Sequence, residues 1–349
     1  MKGRIVPYRL KFKKPAGTSR GTLTEKPSYF IILEADGKLG IGECGVFPGL
    51  SLEWNNQYEE TLFRSLEAWK SGTLDLQTLR TYPSMLMGWE TAIRSMEEGD
   101  TFFIFNSSFQ HGVPIYINGL IWMGDVDDMA QQIEARLDQG FNCIKLKIGA
   151  LDWSSELNLL KAIRARFSAQ EIELRVDANG AFRPEEALAK LEALAELEVH
   201  SIEQPIKAGQ WDAMAGLCAE SPLDIALDEE LIGIDSVVKK EELLDTIQPK
   251  YLILKPSLVG GFQGSDEWIR LADERDVHWW ATSALESNIG LNAIAQWVSS
   301  KQPTLPQGLG TGSLYVNNIP SPLEVSAGTL KSDLDRTWDI KELLKIMPL

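Results

Sequence analysis

Histidine and cysteine are scarce, with three of each in 349 residues. Cys44, Cys143 and Cys218 lie far apart without a CxxC spacing, which argues against a disulfide framework or a zinc site. Positive charge is also short. Lys and Arg total 34 against 50 Asp and Glu, a net charge of -16, so no excess of cations exists to replace the counterions of a nucleic acid or an anionic membrane. No apolar run approaches membrane-spanning length, and the basic start "MKGRIVPYRLKFKKP" lacks the apolar stretch of a signal peptide. A soluble cytoplasmic protein with no membrane and no nucleic-acid partner is expected. No GxGxxG follows the first strand-like run, which weakens a dinucleotide-binding sheet.

What is present is rhythm. From about residue 113 short apolar runs alternate with helix-period segments: "VPIYINGL", "CIKLKIG", "IELRVDANG", "HSIEQP", "DIALDEE", "YLILKPS", "VHWWATSALES" and "TLPQGLGTG". Strands alternating with helices at this pace predict a parallel sheet. About eight units in roughly 200 residues favour its closure into a barrel. The first 110 residues differ. "SYFIILEADGKLGIGECG" predicts two antiparallel strands turning at Asp36-Gly37, followed by helices around "YEETLFRSLEAWKSG" and "SMLMGWETAIRSMEEG". We therefore expect an α+β domain over residues 1–110, completed by the tail from about 320 to 349, and a catalytic barrel over 111–319.

"CIKLKIG" places Lys145 and Lys147 on one face of a strand and Ile144, Leu146 and Ile148 on the other. An edge strand carrying lysines against mispairing would explain this stretch alone. The rest of the chain points elsewhere. Reactive residues of a parallel barrel sit where strands end, and those ends here carry Lys147, Asp177, Glu203, Asp228 and Lys255. They are spaced by 30, 26, 25 and 27 residues, one strand–helix unit each. Three carboxylates converging on a barrel mouth repel one another unless a cation joins them. An all-oxygen donor set suits Mg²⁺, with Mn²⁺ as the alternative. Lys147 and Lys255 would face each other across that ion, one able to act as a base beside a substrate carboxylate. Glu229 and Glu230 adjoin Asp228, so its choice as ligand rests on phase alone.

These motifs, "KLK", "DAN", "IEQP", "LDEE" and "LKPSLVGG" in this order, resemble those of the enolase superfamily, in its muconate-lactonising-enzyme-like subgroup. The resemblance covers nearly the whole chain. It implies a modified TIM-type (β/α)7β barrel under an α+β capping domain. It also implies Lys147 as the proton-transfer residue, Asp177, Glu203 and Asp228 as metal ligands, and Lys255 on the opposite face. Asn179 would help order the site, and Lys145 would adjust the charge on Lys147 and meet a substrate carboxylate. "GIGECGVFPGLS", "SALESNIGL" and "TGSLYVNNIPSPLE" are similar to segments of the o-succinylbenzoate synthase family. That likeness implies a syn dehydration of a small anionic substrate, a succinyl-bearing hydroxycyclohexadiene carboxylate of menaquinone biosynthesis. The same two lysines would serve an N-acylamino-acid racemase or a dipeptide epimerase, although "GLGTG" carries no carboxylate for a dipeptide's ammonium. A histidine-based dehydratase is disfavoured, because His200 and His278 precede their strands and His111 lies in the link. Three further expectations concern the substrate. Arg20, in a lid over "GTSRGTLTEK", would meet a carboxylate, and Ser283 and Glu286 would line the pocket or cap a helix. Whether the chain forms a homo-oligomer is left open.

Overall fold

A computed structural model describes residues 1–18, 21–122 and 125–346. Three antiparallel strands open the chain: β1 (Lys2–Thr18), β2 (Gly21–Ala35) and β3 (Lys38–Cys44), in the order β1-β2-β3. The β2–β3 turn has Asp36 and Gly37 both at positive φ, 52° and 75°, as the two-residue hairpin requires. β1 is the element the sequence hid, since Pro7 and Pro15 interrupt it. It is the outer strand of its sheet, where a missing N–H is tolerated, and its free side takes only a short bridge from Phe12 to Tyr315. The described part of the expected lid continues this hairpin, with Gly17 opposite Thr22 and Thr18 opposite Gly21, and is therefore strand. Arg20 lies outside the described residues.

Helices α1 (Tyr58–Lys70) and α2 (Pro83–Glu98) cover one face of the sheet around Ile31, Leu33, Leu62 and Trp89. The approach of α2 to β3 depends on glycine. A Cβ on Gly42 would lie 1.9 Å from the Gly88 carbonyl oxygen. Gly42→Ala is expected to lower stability by about 3 kcal/mol or more, read from the denaturant midpoint, because both contacting partners are backbone.

The expected first barrel run is divided. β4 (Ile115–Tyr116) pairs outward, and β5 (Gly119–Ile121) begins the parallel sheet. There follow α3 (Val126–Asp138), β6 (Cys143–Lys147), α4 (Trp153–Arg166), β7 (Glu173–Asp177), α5 (Pro184–Ala195), β8 (Ser201–Glu203), α6 (Trp211–Glu220), β9 (Ile225–Leu227) and α7 (Val237–Ile247). β10 (Tyr251–Leu254), α8 (Pro256–Val259), α9 (Gly261–Asp273), β11 (His278–Ala281) and α10 (Asn288–Ser300) complete the alternation. Asp125, Asp152, Ser236 and Ser287 cap their helices by accepting a backbone N–H, as their short oxygen side chains favour.

The seven strands run β5 to β11 in order, and the gap between first and last is filled by Gln307 and Gly308. Gln307 bridges to Ile117 and Gly308 to Thr282, both parallel. The result is the (β/α)7β barrel that the family resemblance implied. β6 lies between β5 and β7, so the edge-strand account of its lysines fails. Ile144, Leu146 and Ile148 pack outward, while Lys145 and Lys147 occupy the inner face.

The tail divides its attachments. β12 (Leu323–Ser326) and β13 (Thr329–Ser332) form a small sheet with β4. Trp338 then stacks on Phe102 with ring centroids 4.2 Å apart, and Leu343, in α11 (Ile340–Ile346), packs with Phe30 and Ile41 of the N-terminal sheet. Among the described residues no helix is long and apolar enough to cross a membrane.

Candidate active site

Parallel register builds the site. Lys147 is opposite Asp177 and Asp177 opposite Glu203, so three adjacent strands place one reactive side chain each in a single row. Asp228 follows β9, two residues past the Ala226 that pairs with Glu203, and Lys255 follows β10, so both leave that row yet end at the same mouth of the barrel. Asn179 takes φ 45°, a left-handed conformation that asparagine tolerates, and its N–H donates to Asp177 Oδ1 at 2.9 Å. The turn thereby brings its side chain back over the strand ends.

The charges interlock. Lys147 Nζ donates to Asp177 Oδ2 and to Asn179 Oδ1, each at 2.7 Å. Lys145 Nζ reaches the same Asp177 oxygen at 2.9 Å and Glu203 Oε2 at 2.5 Å. Lys255 Nζ donates to Asp228 Oδ2. Asp177, Glu203 and Asp228 are almost wholly buried. Burial opposes the ammonium of Lys145, but Asp177, Glu203 and Asp228 outweigh it and hold its pKa above the ordinary lysine value. Burial likewise opposes charge on Lys255, where Asp228, Glu203 and Glu229 prevail and raise it. Burial opposes charge on Asp177 too, yet Lys145 and Lys147 hold it well below the usual carboxylate range. Glu203 is pushed up to about 8 by burial and by Asp177, over the pull of Lys145. Burial also raises Asp228, against the pull of Lys255.

Among the described residues no three His, Cys, Asp or Glu side chains stand open as a metal cage. The reason is local, since lysine ammonium groups rest on the carboxylate oxygens. The donor set nevertheless fits a hard divalent ion. Asp177 and Glu203 share the Lys145 ammonium, and the charges of Asp177 and Asp228 both bear on Glu203, so three buried acids crowd one place. Among the described residues Glu203 Oε1 is buried without a partner, and a carboxyl pushed up to about 8 marks a place where positive charge is wanted.

Neighbouring acids are turned aside. Glu230 accepts from Gln204 Nε2 and from the Gly209 N–H, which leaves Asp228 facing the lysines. Glu229 accepts from Asn179 Nδ2 at 3.0 Å and forms part of the cavity wall. Asp228, the acid that phase singled out, is the one of the three that meets Lys255, while the place of Glu229 in the wall was not foreseen. Its only sequence signal was adjacency within "LDEE".

A cavity of about 130 Å³ opens above these groups. Lys145, Lys147, Lys255, Asn179 and Glu229 form its polar side, and Phe47, Leu50, Leu120, Trp122 and Leu285 its apolar side. Ser283 lines it, with Oγ 2.6 Å from Thr311 Oγ1. Asn118, Thr282 and Thr311 also line it, and sequence reasoning missed all three. Glu286 requires correction. It is fully buried, is not among the lining residues, and accepts from Ser257 Oγ at 2.6 Å. Helix capping at this point belongs to Ser287 instead. A larger cleft of about 330 Å³, between Arg80 and Tyr82 on one side and Ile234 and Leu258 on the other, holds none of the strand-end carboxylates. His200 and His278 sit beside Tyr251 at the opposite ends of their strands, away from the mouth.

Comparison with known proteins places this geometry. The "Enolase C-terminal domain-like" family matches residues 128–333. The o-succinylbenzoate synthase of Desulfotalea psychrophila is 47% identical, over 95% of this chain and 99% of its own. This chain belongs to the enolase superfamily, in its o-succinylbenzoate synthase family. It is an enzyme. The crystal structure of MenC from Desulfotalea psychrophila LSv54 superposes with a TM-score of 0.82 at 43% identity, covering 95% of this chain and 99% of that one. Muconate lactonizing enzyme from Pseudomonas fluorescens shares the fold, with a TM-score of 0.79 at 20% identity, 99% of this chain and 98% of that one being covered.

Proposed function

We propose that this enzyme is an o-succinylbenzoate synthase, removing water from 2-succinyl-6-hydroxy-2,4-cyclohexadiene-1-carboxylate in menaquinone biosynthesis. The observation that carries the reading is the pairing of Lys147 and Lys255 on the wall of one cavity above three crowded carboxylates, in a chain 47% identical to an o-succinylbenzoate synthase.

Asp177, Glu203 and Asp228 would hold a divalent ion, Mg²⁺ by their all-oxygen chemistry. When bound, that ion supplies positive charge beside the substrate's ring carboxylate. Lys147 acts as base and takes the proton alpha to that carboxylate, leaving its electron pair as an enolate. Lys255 remains an ammonium on the other side and stabilises the negative charge. The pair then re-forms a ring double bond as the C–O bond breaks, and Lys147 returns its proton to the departing hydroxide as water. One residue therefore serves both proton transfers on one face, and the ring becomes aromatic. Lys145, held charged by Asp177 and Glu203, keeps positive charge next to Lys147. Phe47, Leu50 and Trp122 exclude water from the ring.

Racemisation of an N-acylated amino acid would employ the same lysines as alternating bases. The strand-eight segment lining the cavity supplies Gly308, Gly310 and Thr311 and no carboxylate, which disfavours a free ammonium substrate. Purified protein with Mg²⁺ is expected to convert the cyclohexadiene to o-succinylbenzoate at least about 10³-fold faster than it racemises an N-succinylamino acid, both followed by kcat/KM. Racemisation of equal or greater efficiency would replace the dehydratase reading.

A further inference from the structure

Above the barrel a second set of ionisable groups is buried, and the dehydration as described makes no use of it. Glu43, at the end of β3, accepts from Ser28 Oγ at 2.5 Å, from Ser287 Oγ at 2.6 Å, and from the N–H groups of Ser287 and Gly290 at 3.0 and 2.9 Å. Glu286 is as deeply buried and holds Ser257 Oγ at 2.6 Å. Lys26, on β2, is 1% exposed, and its charge acts on both carboxylates. Among the described residues neither Lys26 Nζ nor Glu286 Oε2 has a hydrogen-bond partner. Two glycines allow the approach. A Cβ on Gly45 would meet Glu286 Cγ at 2.7 Å, and one on Gly290 would meet Glu286 Cβ at 2.7 Å and Glu43 Oε2 at 2.9 Å.

The cluster joins three stretches of chain that each reach the cavity. Beyond Gly45 the chain supplies Phe47 and Leu50, Ser257 is two residues past Lys255, and Glu286 follows Leu285 directly. Leu285 takes φ 61°, strained for a residue with a branched side chain, and its carbonyl accepts from Tyr315 Oη at 2.7 Å. Burying one ammonium with two carboxylates is a poor route to stability, because desolvation offsets most of the attraction. Removing one partner, by contrast, leaves an uncompensated charge that forces its neighbours to move.

We propose that Lys26, Glu43 and Glu286 are positioning residues: a buried charge cluster that sets the Phe47–Leu50 wall against Lys255 and Leu285, and so fixes the width of the substrate cavity. The inference rests on the dehydratase reading. Lys26→Met leaves two carboxylates facing each other without a counter-charge, so KM for the cyclohexadiene is expected to rise about tenfold while kcat stays within threefold. Glu286→Gln keeps the shape and the acceptor for Ser257, and is expected to raise KM about threefold to fivefold. The double variant lowers the mutual repulsion and is expected to return KM to within threefold of the unmodified enzyme. A purely structural cluster would shift Tm without moving the KM of the folded fraction, and the double variant would then rescue nothing. KM within twofold of the unmodified enzyme in Glu286→Gln, or in a folded Lys26→Met protein, overturns the inference alone. An unmodified protein without dehydratase turnover overturns both it and the function.

Discussion

Lys147→Ala is expected to lower kcat for the dehydration by about 10³- to 10⁴-fold, the upper part of the range that a single acid–base residue supplies. KM should change far less, because Lys145, Lys255 and the carboxylates remain to bind the anionic substrate. The fold should survive, since Asp177 retains its 2.9 Å contact with Lys145. Arginine variants separate proton transfer from charge. A guanidinium preserves the cation but does not give up its proton in proteins. Lys147→Arg should therefore be as inactive as Lys147→Ala. Lys255→Arg should retain more activity than Lys255→Ala, because Asp228 and its neighbours already hold this side chain as an ammonium and its role is electrostatic. Steady-state kinetics on the four variants provides the check. Equal losses in the two arginine variants would mean that both lysines exchange protons, which is racemase chemistry.

The contrast between those two lysines shows what the sequence made legible. A parallel barrel repeats one geometric position per strand–helix unit, so counting units was enough to bring Lys147, Asp177, Glu203, Asp228 and Lys255 to one mouth. The same regularity placed Lys145 inside, once β6 was known to be flanked on both sides. Residues whose surroundings come from distant chain were illegible. Glu286 read as pocket lining because it follows a strand end. Its actual environment is built by Gly45 and by the charge of Lys26, more than 200 residues earlier. The outer strand β1 was hidden for a related reason: Pro7 is unfavourable in a strand, and only the long pairing with β2, in which Pro7 lies opposite Tyr29, carries the strand through it. Asn118 and Thr311 enter the cavity only because the eighth strand segment closes the barrel beside Ile117.

Removal of divalent ions by a chelator is expected to reduce turnover at least about 10³-fold, with recovery on adding Mg²⁺, and to change how stability depends on pH. Without the ion, Glu203 titrates near 8 against an ordinary value of about 4.3. A carboxyl raised on folding contributes stability that is complete below the unfolded value and is lost as pH climbs through the folded one. Metal-free protein should thus lose Tm steadily from about pH 5 to pH 8, and the raised carboxyl of Asp228 adds to the same trend. Asp177 runs the other way, but its depressed pKa confines its effect to strong acid. Lys145 and Lys255 are raised above an already high value, so their losses fall beyond this window. Mg²⁺ binds the ionised acids and competes with protons for them. The Tm gain at fixed Mg²⁺ should consequently be larger at pH 8 than at pH 6, and Glu203→Gln should flatten the metal-free slope and abolish most of that gain. A Mg²⁺-induced gain independent of pH, or one undiminished in Glu203→Gln, would show that the three carboxylates do not share an ion.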